Sequence, residues 1–122
     1  MTTEELKQRT MSFALRTARL AESLPKTWTG RMVTAQLVRC GPAVGANYRA
    51  ACKARSRAEF VAKIGIVEEE ADESAFWMEF IVAHGLMPEN RVTELLKEAN
   101  ELSAIVGRSR ITASKGLKRR TT

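Results

Sequence analysis

Residues 40–50 read CGPAVGANYRA, and the fold turns on whether this stretch is loop or helix. Gly41, Pro42 and Gly45 within five positions suit a phosphate-cradling loop, an ordinary turn, or a helix interior whose small side chains admit a neighbouring backbone. Periodicity separates these readings. Val33, Leu37, Cys40, Val44, Tyr48 and Ala51 recur at steps of three and four, keeping one helical phase across both glycines and the proline. A loop would lose that phase. An interior proline removes one hydrogen bond and costs about 3 kcal/mol, which packed neighbours can offset in a bent helix. The stretch is therefore read as part of one long helix kinked at Pro42, with two helices joined at Gly41 and Pro42 as the alternative. Gly41 and Gly45 share a face and form a small-residue notch beside Ala46. A nucleotide-binding loop is rejected, because no strand precedes Gly41 and the spacing matches neither G-x-G-x-x-G nor G-x-x-x-x-G-K.

Outward from this stretch the pattern is helical in both directions, and no alternation of period two is found. Thr2 and Glu5 have capping-box spacing ahead of a stripe made by Leu6, Phe13, Leu20 and Leu24, and Pro25 ends this first helix. The short loop LPKTWTG turns the chain back. Ser56 and Glu59 form a second capping box before Phe60, Ile64, Val67, Ala71, Ser74, Met78 and Ile81. This predicts a third helix from about Arg57 to His84, capped by Gly85. Pro88 suits the first turn of a fourth helix through Val92, Leu95, Leu96, Ala99, Leu102, Ile105 and Val106. The expected fold is all-α, an antiparallel up-down-up-down four-helix bundle over residues 1–107. Residues 108–122, where the apolar rhythm fades, are expected to form a basic, flexible tail.

Bulk properties fit one domain, since 122 residues with 44% hydrophobic composition can enclose one modest core. No apolar run approaches the roughly 18 residues of a membrane span, and MTTEELKQR lacks the basic start and apolar block of a signal peptide. A cytoplasmic location without membrane contact is expected. The net charge of +6 is unevenly placed: residues 1–106 hold 14 basic and 14 acidic side chains, so all six surplus charges follow Gly107. Residues 26–63 carry eight Lys or Arg against Glu59 alone, and residues 64–106 carry ten acids against Arg91 and Lys97. The chain is thus a succession of sign-separated blocks.

Reaction chemistry finds little support. A carboxylate-bridged di-iron site needs two Glu-x-x-His pairs, but the single histidine, His84, has Ile81 three positions before it. With one histidine and no convergent nucleophile, neither a metal nor a catalytic group is expected, and no cofactor. His84 suits a helix C-terminus instead. Cys40 and Cys52, about 18 Å apart along one helix, are read as reduced thiols that do not bridge. Trp28, Trp77 and Phe80 are candidates for an oligomer interface. Asn47 and Ser74, polar positions on apolar stripes, are given structural roles with Gly41, Pro42, Gly45, Ser56 and Glu59.

LVRCGPAVGANYRAACKARSRAEF (residues 37–60) followed by IVEEEADESAFWMEFIVAHGL (residues 66–86) resembles the bacterial four-helix bundle family that includes proteins encoded in large-subunit rRNA intervening sequences. The similarity covers roughly residues 6–106. The resemblance implies a bundle that assembles into a ring-shaped homopentamer with no known enzyme activity. It also implies distant kinship with the nucleic-acid-binding accessory protein of diversity-generating retroelements. This chain departs from the family pattern at Pro42, at Ala50 and Ala51, and in its more acidic third helix.

Two functions from different classes follow. In the first, a non-enzymatic oligomer presents Arg49, Lys53, Arg55 and Arg57, helped by Arg108, Arg110, Lys115, Lys118, Arg119 and Arg120, to RNA or DNA phosphates. In the second, the basic second helix and acidic third helix neutralise one another, and the protein is a structural or protein-binding oligomer.

Overall fold

The computed structural model describes residues 1–121, with side chains through Leu117. It contains α1 (Thr3–Glu22), α2 (Trp28–Cys52), α3 (Arg57–His84), a single 3-10 turn (Glu89–Arg91) and α4 (Thr93–Thr121), with no strand among the described residues. Consecutive helices pack against each other, and α1 closes the bundle through a narrower seam with α4. The all-α four-helix fold is as expected. α2 runs without interruption through Gly41 and Pro42, so the single-helix reading of CGPAVGANYRA holds.

α1, α2 and α3 each begin where a side chain can satisfy an unpaired N–H group. Thr2, Thr27 and Ser56 accept from the N–H of Glu5, Gly30 and Glu59 at 3.0–3.1 Å. The Glu59 carboxylate reaches back past Ser56 to the N–H of Arg55 at 3.2 Å. α3 stops at Gly85, whose φ of 79° lies in the left-handed region, while Leu86 N–H donates to the Ile81 carbonyl at 3.0 Å in a Schellman arrangement.

The core joins Phe13, Leu37, Ile64, Met78, Ile81 and Leu102, all fully buried. Each such side chain contributes about 1.5–3 kcal/mol relative to exposure. Two positions on the buried stripe of α1 are threonines. Thr10 and Thr17 satisfy their hydroxyls by donating to the carbonyls of Lys7 and Phe13 at 3.0 and 2.7 Å. They sit opposite the glycines of α2: a Cβ on Gly41 would lie 2.7 Å from Thr17 Cβ, and one on Gly45 would lie 3.3 Å from the Thr10 carbonyl oxygen. The notch in CGPAVGANYRA therefore receives the backbone and threonines of α1. The polar positions of α2 and α3 are met locally as well: Asn47 Nδ2 donates to the Ala43 carbonyl at 2.9 Å, and Ser74 Oγ donates to the Glu70 carbonyl at 2.8 Å while lying 3.3 Å from Cys40 Sγ of α2.

Two boundaries differ from expectation. Pro88 does not begin α4. Its ψ of 143° is extended, and the intervening 3-10 turn lets Val92 enter the core before the helix starts at Thr93. Nor is residue 107 a boundary, because α4 continues through it to Thr121. The apolar rhythm fades there for a packing reason. α4 lies against the first half of α3, with Gly107 beside Glu68, Arg110 beside Gly65 and Gly116 beside Arg57, so small residues take the buried positions.

Candidate nucleic-acid interface

The antiparallel order brings the start of α1, the end of α2, the start of α3 and the second half of α4 to one end of the bundle. A groove of about 700 Å³ there is lined by Met1, Arg57, Phe60, Ile105, Arg108 and Thr112, among others. Arg49, Lys53, Arg55, Arg57, Arg108 and Lys115 are all exposed, and none of them enters an ion pair among the described residues. Among the described residues, three side-chain carboxylates share this end: Glu4 and Glu5 in the first turn of α1, and the half-buried Glu59 already bonded to backbone. Positive charge predominates. Residues far apart in sequence are thus gathered by topology into one cationic surface.

Arg110 does not belong to that surface. Its Nε donates to Glu68 Oε1 at 2.6 Å, an ion pair between α4 and α3. The side chains of Lys118, Arg119 and Arg120 lie outside the described residues. Two further arginines tie helices together, each through a pair of carboxylates. Arg9 of α1 holds Glu98 and Glu101 of α4 through contacts of 2.6–2.7 Å, and Arg39 of α2 holds Glu70 (3.4 Å) and Glu73 of α3. The Arg9 clamp was missed in the sequence, because a separation of 89 residues leaves no local signal.

Beneath the cationic end, Tyr48 is buried, and desolvation, with hydrogen-bonding and charge coupling to Cys52, pushes it up to about 12; a hydrogen bond to Thr3 opposes the shift. Burial likewise pushes the Cys40 thiol up. Neither group is poised as a nucleophile or base near neutrality. Both cysteines are free, and no cluster of His, Cys, Asp or Glu among the described residues has the form of a metal site. His84 is exposed at the end of α3, stacked on Phe80 with ring centroids 5.7 Å apart.

The candidate interface residues scatter. Trp28 is 90% exposed at the start of α2, away from the cationic end, whereas Trp77 and Phe80 are half-buried against the core and Trp77 Nε1 donates to Glu73 at 3.2 Å. The more exposed apolar side chains Phe76, Met11 and Leu15 were overlooked. Their signal was present in the helical phase: each lies two positions from a buried stripe residue, Met78 for Phe76 and Phe13 for Met11 and Leu15, and so faces outward.

No helix among the described residues is long and apolar enough to cross a membrane. Comparison with curated proteins gives no match. A crystal structure of a protein with unknown function from the S23 ribosomal protein family of Bacteroides thetaiotaomicron VPI-5482 is similar to this chain. It superposes with a TM-score of 0.82 at 25% identity, covering 90% of this chain and 98% of that one. Residues 3–108 match the family described as 23S rRNA-intervening sequence protein, which takes in all of α1 to α3 and the core-forming part of α4. With most of its length matched and its four-helix fold shared, the chain belongs to the 23S rRNA-intervening sequence protein family.

Proposed function

We propose that the protein is a non-enzymatic, oligomeric module that binds the phosphate backbone of RNA or DNA through the cationic end of its bundle. The observation that carries this reading is the selective pairing of charge: Arg9, Arg39 and Arg110 take helix-bridging carboxylates, while Arg49, Lys53, Arg55, Arg57, Arg108 and Lys115 converge at one end outside those pairs. A cationic surface of this kind binds by releasing counterions and multiplies its contacts when copies are joined. The test is a filter-binding titration with structured RNA and duplex DNA at two salt concentrations, comparing the full chain with its Arg49/Lys53/Arg55/Arg57→Ala variant. Tighter, salt-sensitive retention of the full chain is expected. Equal, salt-insensitive retention of both would overturn the reading. The helix-bridging ion pairs favour a second reading, a structural or protein-binding oligomer that leaves nucleic acid alone, and that outcome of the titration would select it.

A further inference from the structure

Among the large exposed apolar side chains, Met11 and Leu15 lie on one face and Ile66 and Phe76 on another of opposite charge. The first face is on α1 and α2. Met11, 50% exposed, lines a groove of about 210 Å³ with Ala14, Pro42 and Ala46, and the equally exposed Leu15 lines an adjoining depression along α1. Lys7 and Arg49 line both the groove and the depression, and the depression adds Arg19 and one acid, Glu4. The second face is a stripe on α3. At 100° per residue Glu69, Asp72, Phe76 and Glu79 fall within about 80° of one another on the outward side of the helix, with Ile66 at the edge of that arc, and all five are exposed. The three acids of this stripe take no ion pair among the described residues, whereas Glu68, Glu70 and Glu73 beside them are held by Arg110 and Arg39.

We infer that the α3 stripe of one copy docks in the α1–α2 groove of a second copy. The inference rests on the oligomeric half of the proposed function and assigns its surfaces. An outward ridge of apolar residues interleaved with acids is the complement of an apolar trough whose rim carries three cations against one acid, and this chain carries both. The stripe faces away from its own core and cannot fill its own groove, so the complement must come from another copy. The resulting contact is heterologous, joining unlike faces head to tail, and successive copies close into a ring or extend as a filament. Both faces run along the bundle, so neighbours stand side by side, and in a parallel arrangement their cationic ends share one rim. Pro42 acquires a second use here: its ring forms part of the groove floor, and as a proline it has no N–H to hide.

Sedimentation velocity on the full chain and three variants tests this. Reversing the stripe alone (Glu69/Asp72/Glu79→Lys) or the groove alone (Lys7/Arg19→Glu) shifts the protein to the monomer's sedimentation coefficient. Carrying both sets of reversals in one chain restores association, as does mixing the two singly reversed proteins. Circular dichroism confirms that each variant keeps its helices. A wild-type chain that sediments as a monomer throughout the micromolar range would overturn the inference together with the oligomeric half of the proposed function. A wild-type oligomer that survives each single reversal would overturn only the assignment of faces. Failure of nucleic-acid retention by an oligomer that passes these tests would strike the binding half alone.

Discussion

Gly41 and Gly45 differ in what they face, and one substitution separates their roles. At Gly41 an added methyl meets the side chain of buried Thr17, whose χ1 is fixed by β-branching and by its bond to the Phe13 carbonyl. Gly41→Ala is therefore expected to destabilise the fold by about 1–3 kcal/mol, measured by urea unfolding. At Gly45 the nearest atom, the Thr10 carbonyl oxygen, is 3.3 Å from the added methyl, so a small shift suffices. The helix-propensity gain of about 1 kcal/mol for Gly→Ala then nearly cancels the tighter contact, and Gly45→Ala is expected to be close to neutral. A costly Gly45→Ala beside a neutral Gly41→Ala would contradict this assignment. Tyr48 offers a second test, since it is the sole tyrosine of the chain. Its folded value of about 12 exceeds the ordinary 10.0, so it contributes stability that is complete below pH 10 and is lost as pH rises toward 12. The raised Cys40 thiol acts in the same direction, from about pH 9 upward. Near-ultraviolet phenolate absorbance should titrate close to pH 12, or break earlier together with loss of helical ellipticity. A reversible midpoint near 10 in the folded protein would show Tyr48 to be solvated.

At the scale of elements, α4 marks the limit of what periodicity reveals. Long apolar stripes announced α1, α2 and α3, because burial of large side chains is the strongest local constraint on phase, and capping-box spacing announced the starts of α1 and α3, whereas the Thr27 cap of α2 was not read. The second half of α4 has no such stripe. Gly107, Ala113 and Gly116 occupy its inward positions, where close approach to α3 leaves room for little else, and small residues read as loop when the partner helix is unknown. The candidate site suffered similarly: its cations were visible individually, but Arg110 looked free until the fold placed Glu68, 42 residues away, at 2.6 Å. That ion pair should hold the extension in place. Arg110→Ala is expected to lower amide hydrogen-exchange protection across residues 108–117 by several-fold while leaving residues 93–106 unchanged. Uniform protection in the variant would mean that packing of the small residues alone secures this half of α4.

For the whole molecule, the charge blocks read along the chain resolve into two populations. One consists of cations that lock helices together: Arg9 across the α1–α4 seam, Arg39 between α2 and α3, and Arg110 between α3 and α4. The other is gathered by antiparallel topology at one end, where no carboxylate bridges it to a second helix among the described residues. These populations should separate in a salt titration, because only a cation that meets a phosphate releases a counterion. The slope of log affinity against log salt on duplex DNA falls by about 1 for each phosphate contact removed. Lys53→Ala is thus expected to reduce the slope by about 1, and the Arg49/Lys53/Arg55/Arg57→Ala variant by about 3 to 4. Arg39→Ala and Arg9→Ala should leave the slope intact while lowering the denaturation midpoint, the latter more, since the Arg9 clamp is the better shielded of the two. A slope that responds equally to Lys53→Ala and Arg9→Ala would mean that affinity reports overall charge and that the cationic end is no distinct surface.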